Sequence, residues 1–258
     1  MKKTFLFILI AVISLQAQAQ VNDNPINELS LRLFQNEMLT HRFLKNFVFI
    51  QTNTFKKKTL VDMDKSLARF DDNLNYIVLH VPEKKEIQDD FMGLQEFWNV
   101  YRLFITDYEN KNYKALVEKS KKFEKLTHKL TMNLLQEHPD YSANKKSINL
   151  ALYDVENIKM LDKIATAYIM KGGLHVAKAY TYFNNDFDMI KKYLKKIAKY
   201  KKIAKFVAED IEDLYTTLHS IETLYYDENY SPKIMYSQAN AFTKKSYKIL
   251  NIITNNIK

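Results

Sequence analysis

The sequence predicts an all-α protein built as two tandem up-and-down four-helix bundles. Three observations carry that expectation. The 258 residues include only 3 glycines and 4 prolines, so there are few places where a helix must stop. Apolar residues recur every three or four positions over long stretches, and no strand-like alternation is sustained. The two halves also share faint similarities. Met38-Leu39 matches Met160-Leu161, "RFDDNLNYI" at 69–77 resembles "YFNNDFDMI" at 182–190, and "YENKNYKAL" at 108–116 resembles "YDENYSPKI" at 226–234.

The N-terminus reads as a targeting segment. Lys2 and Lys3 precede an apolar run from Phe5 to Leu15, and Ala17-Gln18-Ala19 has the small-x-small form of a cleavage site. The expectation is a signal peptide over 1–19, a mature chain starting at Gln20, and a periplasmic protein. No later segment approaches the roughly 18 apolar residues of a membrane span. The roughly 239 residues that follow suffice for one large or two small domains. The absence of cysteine removes disulfides, thiolate zinc sites and covalent haem attachment.

The spacing predicts helices over 26–55, 58–80, 84–108 and 112–137, giving a first bundle within 20–138. A polar joint, "EHPDYSANKKS", runs from Glu137 to Ser147. Helices over 147–171, 174–198, 202–225 and 232–256 then make a second bundle within 147–258. Leu60, Met63, Leu67, Phe70, Leu74 and Ile77 trace one apolar stripe; Ile87, Phe91, Leu94, Trp98, Tyr101 and Ile105 trace the next. Leu116, Ser120, Phe123, Thr127, Leu130 and Leu134 trace a third, and Phe206/Val207, Ile211, Leu214, Leu218 and Ile221 a fourth. A turn is placed near Tyr200, although "KKYLKKIAKYKKIAKF" holds no breaker. An unbroken helix over 174–225 would be about 75 Å long, too long for a compact bundle.

The chain carries a formal net charge of +9. That balance admits lipid headgroups, acidic polymers or a small anion as partners, and equally a solvated lysine-rich surface. Eight lysines, Lys191, Lys192, Lys195, Lys196, Lys199, Lys201, Lys202 and Lys205, crowd one stretch. They are candidates for docking on an anionic surface; the wet face of an amphipathic helix is the plainer explanation. Glu37/His41 and Glu124/His128 have Glu-x-x-x-His spacing, which reads as surface pairing rather than a metal site. Glu209, Asp210, Glu212 and Asp213 read as charge balance. The tyrosines near the later turns of each half would line a pocket, a homodimer seam or the bundle ends. No phosphate loop, nucleophile elbow or catalytic triad signature is present, so no enzyme, cofactor, metal or nucleic acid is expected.

In the first helix, Leu39, Phe43, Phe47 and Ile50 share one face, with Met38 and Arg42 one turn apart beside it. Such an arginine either lays its stem along the core or offers its fork to an anion. The stretch "FQNEMLTHRFLKNFVFI" resembles the opening helix of the type IV pili methyl-accepting chemotaxis transducer N-terminal domain family. The sensor domains of nitrate/nitrite-responsive histidine kinases are its relatives. Met38, Leu39, Thr40 and Arg42 match the family's pattern, and later segments centred on Trp98 and on 116–130 fit its third and fourth helices. The resemblance implies a helical sensory or ligand-binding module, a small anion or other small ligand, and a membrane-bound signalling partner. It departs at the position before the Met, where the nitrate-sensing relatives have Arg and this chain has Glu37 and Lys159. Candidate ligand-binding residues are Arg42, Met38, Lys159 and Lys163. Exported in a Gram-negative host, the protein should give an intact mass and N-terminal sequence starting at Gln20; retention of Met1–Ala19 would refute cleavage there.

Overall fold

The shortage of helix breakers is realised as eight α-helices in the computed structural model, which describes residues 26–174 and 186–257. They are α1 (Ile26–Gln51), α2 (Lys56–Ile77), α3 (Lys85–Thr106), α4 (Tyr113–Glu137), α5 (Tyr141–Gly172), α6 (Asp186–Ala198), α7 (Ala204–Tyr226) and α8 (Pro232–Thr254). A short 3-10 turn, Val78–His80, prolongs α2. Among the described residues there is no strand, so the protein is all-α. No described helix is long and apolar enough to cross a membrane. The expected signal peptide, and the start of the helix expected from 174, lie outside the described residues.

Two boundaries differ from expectation or resolve an ambiguity. The polar joint contracts to residues 138–140, because α5 already begins at Tyr141. After Pro139 the segment "YSANKKS" holds no breaker, and polar residues alone do not stop a helix. The lysine-rich stretch divides into α6 and α7. Its turn folds inward, leaving Tyr200 9% and Ile203 0% exposed, while the Tyr200 N–H donates to the Ile197 carbonyl.

The stripes bury as their spacing requires. Every named position on α3 and α4 is buried, including Ser120 and Thr127. On α2 only Leu60 stays partly exposed, and on α7 Val207 rather than Phe206 enters the core. An aromatic cluster joins α1 to α4: Phe43 lies 5.1 Å from Trp98, Phe70 4.4 Å from Trp98, and Phe123 4.8 Å from Tyr101, centroid to centroid. Such rings contribute area and a preferred geometry together. One hydrophobic cluster extends through all eight helices.

Helices α1 and α5 depart from the single-stripe pattern. From Asn36 to Ile50 every residue except Arg42 is buried; from Asp154 to Met170 every residue except Glu156 and Lys163 is. The reason is position. α1 packs on α2, α4 and α5, and α5 packs on α6, α8 and α1, so each is surrounded. Their mutual contact is the most extensive between any two helices. Lys159 touches Glu37, 122 residues away, and a Cβ on Gly173 would meet Thr52, so the two helices run parallel in a near-constant register. That register equals the Met38/Met160 offset, so these two methionines lie at about the same height on the paired helices. Some further contacts pair up between the two halves, α1–α4 with α5–α8, α3–α4 with α7–α8, and α4–α5 with α1–α8; α6–α7 and α1–α3 have no comparably extensive counterpart in α2–α3 or α5–α7.

The end of α5 depends on its glycines. A Cβ at Gly172 or Gly173 would overlap the Tyr230 side chain. Tyr230 in turn stacks 5.3 Å from Tyr168, whose hydroxyl accepts from the Ser231 N–H at 2.6 Å. This ties the α7–α8 turn to the central helix.

Candidate functional site

Arg42 is the only interruption in the buried run of α1, and it opens into a cleft of about 450 Å³ between α1, α2 and α8. Five cations line the cleft, Arg42, Lys58, Lys65, Arg69 and Lys244, against the single carboxylate of Asp62. The Arg42 guanidinium lies 5.8 Å from the Tyr247 ring centroid, and its Nε is 3.5 Å from Asp162 Oδ2. At that distance and angle neither Nε nor Nη2 makes a hydrogen bond within the protein. Burial works against the Arg42 charge, but Asp162, Tyr247 and Asp62 together outweigh it and raise the pKa. Asp62 is engaged by the Tyr236 hydroxyl. Lys58, Lys65, Arg69 and Lys244 have no ion pair within 4 Å among the described residues.

Beneath the cleft, Lys45 is completely buried and donates to Asp162 Oδ1 at 2.6 Å and to Asn240 Oδ1 at 3.2 Å. Burial lowers its pKa, and Asp162 only partly restores it. Asp162 therefore stands between two cations of α1, the buried Lys45 and the cleft-facing Arg42.

Lys159 and Lys163 sit on the other side of the α1–α5 seam. Lys159 is paired with Glu37 at 3.2 Å, Glu124 at 3.0 Å and Glu156 at 2.7 Å, and Lys163 with Glu124 at 3.3 Å. Burial disfavours the Lys159 charge, but the three carboxylates outweigh it and raise its pKa. Both lysines are thus already neutralised by acids, unlike those around Arg42. The two Glu-x-x-x-His pairs are not surface pairs within one helix. His41 of α1 meets Glu124 of α4 at 2.9 Å, and His128 of α4 meets Glu37 of α1 at 2.9 Å. Burial keeps His41 below the usual histidine range, whereas the hydrogen bond to Glu37 lifts His128. Among the described residues no group of acids and histidines has the arrangement to hold a metal ion. Met38 is 0% exposed and belongs to the core.

The eight clustered lysines do not act as one face. Lys191 bonds Glu222 at 2.8 Å, Lys196 lies 4.1 Å from the Tyr153 ring centroid, and Lys205 lies 4.9 Å from that of Phe206. Lys192 and Lys195 are exposed on α6. Lys199, Lys201 and Lys202 join Lys146 of α5 around a second cleft, about 920 Å³, whose lining includes no carboxylate. Asp210 and Asp213 balance Lys248 and Lys245 on α8. Asp154 is wholly buried near Ser246, and desolvation pushes its carboxyl well above the usual range.

Of the residues singled out from sequence, the structure brings Arg42, Lys159 and Lys163 to the α1–α5 seam but divides them between its two sides. Lys45, Asp162, Lys65, Arg69 and Lys244 were not singled out. The 122-residue repeat offset could have pointed to α5 as the partner of α1; α2 and α8 as cleft walls had no comparable signal. No family model, no curated protein and no solved structure matches the chain.

The seam makes a quantitative expectation. Asp162→Ala leaves Lys45 buried without its counter-charge, which should cost about 3–5 kcal/mol of unfolding free energy in a urea titration. Removing both groups, as Lys45→Met with Asp162→Leu, should cost less than the single change. An Asp162→Ala loss under about 1 kcal/mol would show that the pair is not desolvated.

Proposed function

We propose that this chain is an exported, non-catalytic helical binding module that takes an anionic ligand in the Arg42 cleft. We read its architecture as two tandem four-helix bundles descended from one, akin to the sensory modules of chemotaxis transducers. The observation that carries the reading is the Arg42 guanidinium: borne on a surrounded helix, with Nε and Nη2 buried and short of hydrogen-bond acceptors, and ringed by cations that have no ion pair among the described residues. Turned outward into the cleft, an arginine fork can hold an anion bidentately. Nitrate recognition of the family type is not part of the proposal. Glu37 stands where that chemistry places an arginine, and it is spent on Lys159 and His128.

Binding would act through Asp162. A ligand carboxylate or phosphate drawing the Arg42 fork outward leaves Asp162 to Lys45, tightening the α1–α5 seam. Because α8 forms one wall, the same event pulls the second half toward the first. A partner would read that shift.

A panel of small anions tests the reading by thermal unfolding. A true ligand at a hundredfold excess over Kd stabilises by about 2.7 kcal/mol, which at about 2–4 °C per kcal/mol raises Tm by about 5–10 °C. Arg42→Ala should abolish the shift and Arg42→Lys should keep part of it. Wild-type protein with no response to any anion would refute the proposal.

A second reading is favoured by the cleft at Lys146, Lys199, Lys201 and Lys202: docking on an anionic envelope surface. At about 1 kcal/mol per lysine, replacing the last three by Gln should weaken binding to phosphatidylglycerol vesicles about 100-fold. Cosedimentation insensitive to salt, or equal with neutral vesicles, would count against it.

A further inference from the structure

The Arg42 cleft does not end at Arg69. A third cleft, of about 450 Å³, shares Lys65 and Arg69 with it and continues between α1 and α2 past Ala68 and Asp72. On α2, Lys58, Asp62, Lys65, Arg69 and Asp72 follow one another at intervals of four and three, so they form a single stripe along the helix. From first to last the stripe spans roughly 21 Å at 1.5 Å per residue. α1 runs alongside and supplies Arg42 at one end and Arg32 at the other, ten positions away.

The two ends differ in chemistry. At the Arg42 end, Lys58, Lys65, Arg69 and Lys244 have no ion pair among the described residues. At the far end Arg32 is already paired with Glu28 at 2.8 Å, and its Nη1 donates to Asn73 at 3.1 Å. Gln35 and Asp72 complete that lining. Mixed carboxylate and amide groups suit neutral hydroxyls, which donate and accept. Hydroxyls and amides recur at the cationic end too, in Ser66, Thr243, Asn46 and Asn240.

Resting on the anion-binding reading above, we infer that the groove takes an acidic oligosaccharide, a chain of sugars bearing carboxylate or sulfate groups. Its charged end lies at Arg42, Lys65, Arg69 and Lys244, and its hydroxyl-rich end extends toward Arg32. A single-stranded nucleic acid wants successive aromatic platforms, and the two linings hold one aromatic ring, Tyr247. A peptide wants apolar anchor pockets, and the apolar side chains here are only Leu39, Leu31 and Ala68.

Calorimetric titration of the full chain with glucose oligomers of increasing length, each ending in a single glucuronate, tests the inference. Phosphate and citrate serve as compact anions. Affinity should rise about tenfold or more from monomer to tetramer and then level off as the groove is filled. Ala68 is exposed, so Ala68→Trp should obstruct the far cleft without unfolding the chain. It should return the tetramer to the monomer's affinity and leave the monomer unchanged. Citrate binding as tightly as the tetramer, or an Ala68→Trp variant indistinguishable from wild type, overturns the extended groove while leaving the Arg42 reading intact. Silence from every anion, short or long, overturns both. Tighter binding of a thymidine oligonucleotide or a polyglutamate peptide of matching length overturns the choice of sugar.

Discussion

The arrangement rests on one constraint: two parallel helices at the centre of the molecule carry charges that water cannot reach. Lys45 with Asp162, and Glu37 with Lys159, cross the α1–α5 seam from opposite directions. Apolar packing alone would tolerate sliding by a turn. A slide of one turn, about 5.4 Å, would carry Lys45 and Glu37 out of reach of Asp162 and Lys159, and a buried ion stranded without its partner costs several kcal/mol. The pairs therefore act less as glue than as a register lock, and the clefts inherit their shape from that register.

The lock also explains why the cleft is basic. Asp162 satisfies Lys45 at close range and can serve Arg42 only at 3.5 Å. The surplus positive charge is left facing outward, where α2 and α8 add more. On the opposite side of the seam, three glutamates surround Lys159 and no such surplus exists. The two sides of the seam thus have different electrostatic characters.

Helix content and most helix faces were legible in the chain, because α3, α4 and α7 bury residues at the expected period and present the rest to water. The burial of α1 on more than one face was not legible, and no face was assigned to α5, for a physical reason. Lys45, Glu37, Asp162 and Lys159 look like wet-face residues in one dimension, and only a charged counterpart more than a hundred positions away makes their burial affordable. Arg42 was visible as a candidate because it sits one turn from Met38 beside an apolar face. Lys65, Arg69 and Lys244 were not, since a lysine or arginine on a solvent-facing stripe carries no mark of the cleft it borders. In the lysine-rich stretch the turn at Tyr200 was only a guess from sequence, since no breaker marks it, and Lys146, which joins Lys199, Lys201 and Lys202 around one cleft, carried no signal because it lies more than fifty positions away.

Glu37 and Lys159 stand at the same height on the two central helices yet carry opposite signs. Two copies of α1 brought together in that register would set Glu37 against Glu37, and two copies of α5 would set Lys159 against Lys159. Like charges so juxtaposed are costly, so the same pair that fixes register inside the protein also disfavours the pairing of like helices from neighbouring molecules.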